Sequence, residues 1–176
     1  MHAVTNAYVG LGSNLGDRLA NLSAAIRRIE RIGGVEVMAV SHVYESEPWG
    51  VEEQPPFANA VALLVTNLDA ETLLDALGSA EHALGRVRGE RYGPRVIDLD
   101  LLLFGDEERA TSLLTLPHPR LMERDFVVTP LLELDPEVRL PDGRRVAEAE
   151  AAEGRVRGVL GVIPGYSDRT PRPHAH

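Results

Sequence analysis

The sequence predicts an α+β sandwich with the element order βαββαβ and a C-terminal extension. Three observations carry this. Four apolar, β-branched or glycine-bounded stretches read as strands: from Tyr8, Val35 to Tyr44, Phe57 to Thr66, and Val96 to Phe104. Two stretches with apolar residues at alternating spacings of four and three read as helices, one after the first strand and one after the third. The chain has 176 residues and no cysteine, enough for one core without staples. This is the split βαβ, ferredoxin-like pattern, an antiparallel-rich sheet with helices packed on one side. We expect one domain over residues 1–163 and a disordered tail over 164–176.

Tyr8-Val9-Gly10-Leu11-Gly12-Ser13-Asn14-Leu15-Gly16-Asp17 reads as a strand turning into a helix. Ser13 or Asn14 is expected to cap that helix, with Asp17 in its first turn. Leu15, Leu19, Leu22, Ile26 and Ile29 give it one apolar face, and Gly33-Gly34 ends it. The glycines match neither dinucleotide-binding nor P-loop spacing, so a cap and a turn explain them better than a phosphate cradle. After the second strand, residues 45–56 form a proline-bearing loop, and a loop this long is usually functional. Phe57, Asn59 and Val61 share one face of the third strand. Read alone, Phe57 and Asn59 suit a core and a satisfied amide better than a heterocycle site. Asp69 caps a second helix carrying Leu73, Leu77, Ala80 and Leu84, with Glu81 near its end. Beyond Phe104, residues 113–116 read as a short strand. Pro117-His118-Pro119 then holds a histidine between two fixed backbones, and Arg124-Asp125-Phe126 opens a short helix ending near Leu134. Residues 146–157 read as an acidic surface helix.

Composition excludes several classes. The net charge of −9 argues against a nucleic-acid footprint. No apolar run approaches the roughly 20 residues that span a bilayer, and the N-terminus lacks a leader pattern, so a cytoplasmic protein is expected. All 18 basic residues are arginine. That excludes a Walker-type lysine and a Schiff base, and any phosphate clamp must use guanidinium groups.

The fourth strand concentrates the chemistry. Ile97, Leu99, Leu101 and Leu103 are expected on one face, and Asp98, Asp100, Leu102 and Phe104 on the other. Two carboxylates at i and i+2 repel and need a positive partner. Arg86, Arg88, Arg91 and Arg95 lie just upstream. Either they pair with the acids structurally, or Mg²⁺ does, with substrate phosphates completing its shell. On the strand alone the two readings are even.

Arg91-x-Gly93-Pro94-Arg95-x-x-Asp98-Leu99-Asp100-Leu101-Leu102 resembles the signature of the 6-hydroxymethyl-7,8-dihydropterin pyrophosphokinase family. Four more ordered blocks extend the resemblance from Tyr8 to about Leu134: Gly10-Leu11-Gly12-Ser13-Asn14-Leu15-Gly16; Tyr44-x-Ser46-x-Pro48-x-Gly50 running into Gln54-Pro55-x-Phe57-x-Asn59; Gly85-Arg86-Val87-Arg88; and Leu116-Pro117-His118-Pro119-Arg120 through Phe126. The resemblance implies transfer of pyrophosphate from ATP to the pterin's hydroxymethyl oxygen in folate biosynthesis, releasing AMP. It implies that Asp98 and Asp100 hold two Mg²⁺ ions, and that Arg86, Arg88, Arg95 and Arg124 neutralise phosphate charge. Tyr92, Thr115, His118 and Glu81 would complete the nucleotide site. Phe57 and Phe126 would sandwich the pterin, with Asn59, Ser46 and the backbone to Trp49 reading its edge. The chain would act as a monomer. No residue stands out as a general base, so metal coordination is expected to activate the hydroxyl while His118 contacts a phosphate. The loops 45–56 and 85–95 would close over the substrates and exclude water. Compared with some members, one residue is missing between Arg88 and Arg91 and a lysine is absent there. Two alternatives stand against this reading. A nucleotidyltransferase would release pyrophosphate instead of AMP. A non-catalytic ferredoxin-like module would need no Mg²⁺ and tolerate Asp98→Asn.

Overall fold

A computed structural model of the chain describes residues 3–48, 53–85 and 96–166. The elements in order are β1 (Thr5–Ser13), α1 (Arg18–Glu30), β2 (Val35–Val40), β3 (Val43–Ser46), β4 (Phe57–Thr66), α2 (Ala70–Ala83), β5 (Asp98–Phe104), β6 (Arg109–Ala110), β7 (Thr115–Leu116), α3 (Asp125–Leu134) and β8 (Val156–Gly161). The main sheet is antiparallel in the order β5-β1-β4-β3-β8, and β2 also pairs with β4. β6 and β7 form a separate small ribbon.

The expected helix cap moves. Asp17 is the N-cap of α1, its Oδ1 accepting from Ala20 N at 3.1 Å, so the helix begins after Asp17 and leaves Leu15 outside, 38% exposed. Asn14 instead reaches across the chain, its Nδ2 donating to Gln54 Oε1 at 2.9 Å and to Pro55 O at 3.2 Å. Asp69 caps α2 as expected, accepting from Thr72 N at 2.8 Å. Leu73, Leu77 and Ala80 are buried.

The expected second strand is two strands. At the break, Ser41 N donates to Val61 O at 2.9 Å, and Ser41 Oγ accepts from Val61 N at 2.9 Å. A hydroxyl thus replaces a carbonyl in the ladder and lets the chain re-aim.

The face assignment on β5 needs a correction. The register jumps between Tyr8↔Leu103 and Val9↔Leu101, leaving Leu102 as a bulged extra residue. The alternation therefore slips by one. Leu102 and Leu103 both face the second core, and Phe104 joins Leu99 and Leu101 in the first. A like shift at Met38 turns Ala39 toward the second core.

There are two cores because helices cover both faces, not one. α1 and α2 bury Leu22, Ile26, Ile29, Leu73 and Leu77 against Val9, Leu11, Leu64, Leu99 and Leu101. α3 packs Val127, Val128, Leu131 and Leu134 against Val61, Leu63, Leu102 and Leu103 on the opposite face. α3 is only 10 residues long, about 15 Å at 1.5 Å per residue. The other end of that face stays open around Asp98 and Asn59.

The acidic surface helix is also corrected. Only a 3₁₀ turn forms at Val146–Glu148. The chain then extends, and β8 adds to the β3 edge. Main-chain bonds to residues 123–125 and to β3 satisfy this segment in extended form. The chain continues to Tyr166, whose OH donates to Glu30 Oε1 at 2.6 Å. The rest of the expected tail, residues 167–176, lies outside the described residues.

Candidate active site

Antiparallel register builds the floor of the open face. Asp98 pairs with Gly12, Gly12 with Asn59, and Asn59 with Tyr44. Two residues along the same pair of strands, Asp100 pairs with Gly10. A carboxylate and an amide thus stand on one row with a bare glycine between them. At about 4.8 Å per strand, they are about 10 Å apart across the floor. A Cβ on Gly12 would meet Asn59 Oδ1 at 3.5 Å and the Phe57 ring at 3.8 Å. The glycines of Gly10-Leu11-Gly12 are therefore not a turn, as the sequence suggested. They lie inside β1 and keep a trough open. Two glycines at i and i+2 within an apolar strand were the signal that one face is left bare.

The trough belongs to a cavity of about 150 Å³. Asp98, Asp100, Ser46, Phe57, Asn59, His118, Arg124 and Phe126 all line it. Asn59 is buried, and its Nδ2 donates to Ser46 Oγ at 2.6 Å and to Tyr44 O at 3.5 Å. The amide nitrogen is committed to β3, which fixes the side chain's orientation. Asp98 and Asp100 are half-buried on the cavity side of β5.

The opposite wall comes from the chain between β7 and α3. His118 N donates to Leu102 O at 2.9 Å, fastening this segment to the bulge of β5. Burial lowers the His118 pKa to about 4; the Arg124 charge pushes it the same way, Asp98 opposes and Arg120 adds to the lowering. The imidazole is neutral at pH 7. Its Nδ1 faces Arg120 N at 3.3 Å and accepts from it, which puts the proton on Nε2. Arg124 is buried, with a guanidinium carbon 5.6 Å from the Phe126 centroid. Burial lowers its pKa, and Asp100, Glu153 and Asp98 support the cation against Arg120.

Two expected residues stand outside the cavity lining. Glu81 is on α2, on the other side of the sheet, where it is buried rather than solvated. Thr115 is exposed on β7. Arg86, Arg88, Tyr92, Arg95 and Trp49 lie outside the described residues. A network that the sequence did not suggest ties α3 to β3. Glu133 accepts from His42 N at 3.0 Å and from Tyr44 OH, and its Oε2 lies 3.0 Å from His42 Nδ1. Burial first, then that bond and the Glu133 charge, raise the Tyr44 pKa.

Comparison with known proteins decides the family. The model of the 7,8-dihydro-6-hydroxymethylpterin-pyrophosphokinase family matches residues 8–136. The chain belongs to that family. It is similar to the 2-amino-4-hydroxy-6-hydroxymethyldihydropteridine pyrophosphokinase of Pseudomonas aeruginosa, 46% identical over 149 residues that cover 85% of this chain and 92% of the relative. The enzyme of the same name from Aquifex aeolicus is 43% identical over 142 residues, covering 81% and 88%. Solved structures of Plasmodium falciparum HPPK-DHPS share the fold at 14% identity, one with a TM-score of 0.64 over 83% of this chain and 41% of that one. The chain thus spans about two fifths of those longer proteins. As a family member it is an ATP-dependent pyrophosphokinase of folate biosynthesis, and the nucleotidyltransferase and non-catalytic readings fall away.

The donor set fits the metal that the family uses with ATP. Asp98 and Asp100 present hard oxygen donors on one side of one strand, opening into the cavity. Among the described residues, no group of three or more His, Asp or Glu side chains forms a protein-only metal cage. A pair without a cage suits Mg²⁺, which takes one or two carboxylates and fills its shell with water and phosphate oxygens.

Proposed function

We propose that the cavity holds the hydroxymethyl-dihydropterin between Phe57 and Phe126, with Asn59 and Ser46 reading the ring edge and the ATP phosphates along Asp98, Asp100, His118 and Arg124. The row Asp98–Gly12–Asn59 carries this reading. It supports the reading because Asn59 and Asp98 share one floor, about 10 Å apart by strand spacing. The hydroxymethyl arm of a bicyclic ring spans part of that gap, so its oxygen sits toward the acids. Offset aromatic stacking supports a flat heterocycle between the two phenylalanines.

In the transfer, the hydroxymethyl oxygen forms a bond to the β-phosphorus of ATP. The bond from that phosphorus to the α-phosphate's bridging oxygen breaks, AMP leaves with that oxygen, and the hydroxyl proton passes to solvent water. Asp98 and Asp100 would hold two Mg²⁺ ions, which when bound neutralise phosphate charge and acidify a coordinated hydroxyl. Arg124 supplies a buried guanidinium against the transferred phosphates. His118, neutral at pH 7, donates through Nε2 to a phosphate oxygen and is not the general base. By resemblance to the family, Arg86, Arg88, Tyr92, Arg95 and Trp49, all outside the described residues, complete the sites, and Glu81 and Thr115 are assigned to the nucleotide on that resemblance alone, since neither lines the cavity.

The same reading gives a ferredoxin-like core. Counting β2 and β3 as one strand, the order 4-1-3-2 is that of a split βαβ sheet. It makes residues 1–163 one pyrophosphokinase domain with a tail over 164–176, acting as a cytoplasmic monomer. Among the described residues, no helix is long and apolar enough to cross a membrane.

The test is to mix protein, ATP, Mg²⁺ and the hydroxymethyl-dihydropterin and to separate the adenine products. AMP is expected, dependent on Mg²⁺ and on the pterin. The assignment of the pterin to this cavity fails if Asn59→Ala and Phe57→Ala leave the pterin KM unchanged.

A further inference from the structure

The segment after the 3₁₀ turn at 146–148 crosses directly behind Arg124 and Phe126. Ala152 N and Glu153 N both donate to Glu123 O at 3.1 Å. Asp125 N donates to Glu153 O at 3.0 Å, and Arg124 bridges Glu153 in parallel. The side chain of Asp125 closes the latch. Its Oδ2 accepts from Val156 N at 2.8 Å, and its Oδ1 accepts from Thr129 Oγ1 at 3.0 Å. Arg120 Nη2 donates to Glu153 Oε1 on the outer side. Asp125 lies between the residue placed on phosphate and the residue placed on the pterin. It is fixed to the strap by main chain and side chain alike. Helix geometry alone fixes α3 poorly here, because Arg124 at the N-cap position makes no side-chain capping bond.

We propose that the strap of residues 151–156 is a positioning element for both substrates, and that Asp125 is the positioning residue through which it acts. The strap lies beyond residues 8–136 that the family model matches. It sets the roof of the site from the C-terminal side of those residues. One latch holds adjacent residues serving different ligands, so loosening it weakens both together. A residue acting on one substrate alone would not show this pattern.

The inference rests on the assignment of Arg124 and Phe126 given above, and the experiment separates the two. Binding of pterin and of a non-hydrolysable ATP analogue with Mg²⁺ is measured by calorimetry on the full chain, beside steady-state KM and kcat. Arg124→Ala should weaken the nucleotide and Phe126→Ala the pterin; if neither does, the underlying assignment is wrong. Given that those effects appear, Asp125→Ala should raise both dissociation constants together, about tenfold each, the size of one lost charge-assisted hydrogen bond. Asp125→Asn keeps an acceptor for Val156 N and should stay within about threefold of the parent. A purely structural Asp125 would lower the melting temperature and leave both dissociation constants unchanged well below it, which overturns the proposal. So does an effect on one ligand only. If Asp125→Ala does not fold, Glu153→Ala cuts the outer tie and decides the matter: a joint rise in both constants supports the strap, and an unchanged value for either overturns it.

Discussion

Asn59 sits on a strand paired on both sides and Asp98 on an edge strand laddered to β1, while Arg124 and Phe126 sit at a helix start held by loops and a strap. The floor is placed by a backbone ladder that repeats at every residue. Losing one side chain there leaves the others where they were. The roof depends on a few specific contacts: His118 N to Leu102 O, Asp125 to Val156 N, and Glu133 to His42 and Tyr44. Floor variants should therefore change chemistry without changing stability. Roof variants should change both, or change affinity for two ligands at once.

The largest effect is expected at the floor. Asp98→Asn keeps the side chain's size and the strand pairing but removes one of the two anionic metal ligands. Activity with Mg²⁺ and ATP should fall by about 10²–10³ or more, the scale of losing a major electrostatic contact in phosphoryl-type transfer. The thermal midpoint should hardly move. A variant that loses stability along with activity would show that the acid pair is structural, paired to arginine rather than to a cation.

Gly12→Ala sharpens the comparison. The new Cβ would lie at ordinary contact distance from Asn59 and Phe57, so the fold has no reason to object. The methyl instead occupies the trough. The pterin KM should rise about tenfold, the low end for one methyl group in a tight pocket, with the nucleotide KM close to the parent. Equal losses for both ligands would mean that the trough is not the pterin floor.

Glu133→Gln is a roof variant with a smaller effect. Gln still accepts from one donor but loses the charge that supports His42 N and Tyr44 OH. Stability should drop by about 1 kcal/mol by chemical denaturation. Both KM values should move less than with the strap variants, because Glu133 sits at the far end of α3 from Arg124 and Phe126.

The same division explains what the sequence disclosed. Strand alternation put Phe57 with Asn59 and Asp98 with Asp100, because a paired strand has only two faces. It failed at Leu103 and Phe104, where a bulged Leu102 reverses the faces, and a bulge leaves no local mark in the apolar run. Asp17 reads as a first-turn acid because Ser13 and Asn14 are equally good caps by type. Asn14's tie to Gln54, 40 positions away, overrode local preference. Glycines 10 and 12 read as a turn because their strand role depends on neighbours two strands apart. Residues 146–157 carry helix-forming composition, but their partners are the carbonyl of Glu123, the carboxylate of Asp125 and the free edge of β3. None of these is visible at the level of the segment itself.

The last and smallest effect tests how closely roof and floor are coupled in the ligand-free protein. His118 has its pKa lowered to about 4 from an ordinary 6.5, mainly by burial. Between those values the unfolded chain binds a proton that the folded protein does not. Folded stability should therefore be complete above about pH 6.5, decline as pH falls toward 4, and gain no further slope from this group below that. Other groups titrate in the same window, so the difference between the parent and His118→Gln is the quantity to follow by denaturation at several pH values. That difference should vary with pH only below about pH 6.5. Asp98 opposes the lowering of the His118 pKa, so Asp98→Asn should extend the window to lower pH. If the slope in Asp98→Asn matched the parent, the floor acid and the roof histidine would not sense each other. The cavity would then be two separately tuned surfaces, with His118 answering only to its burial and to the arginines of its own loop.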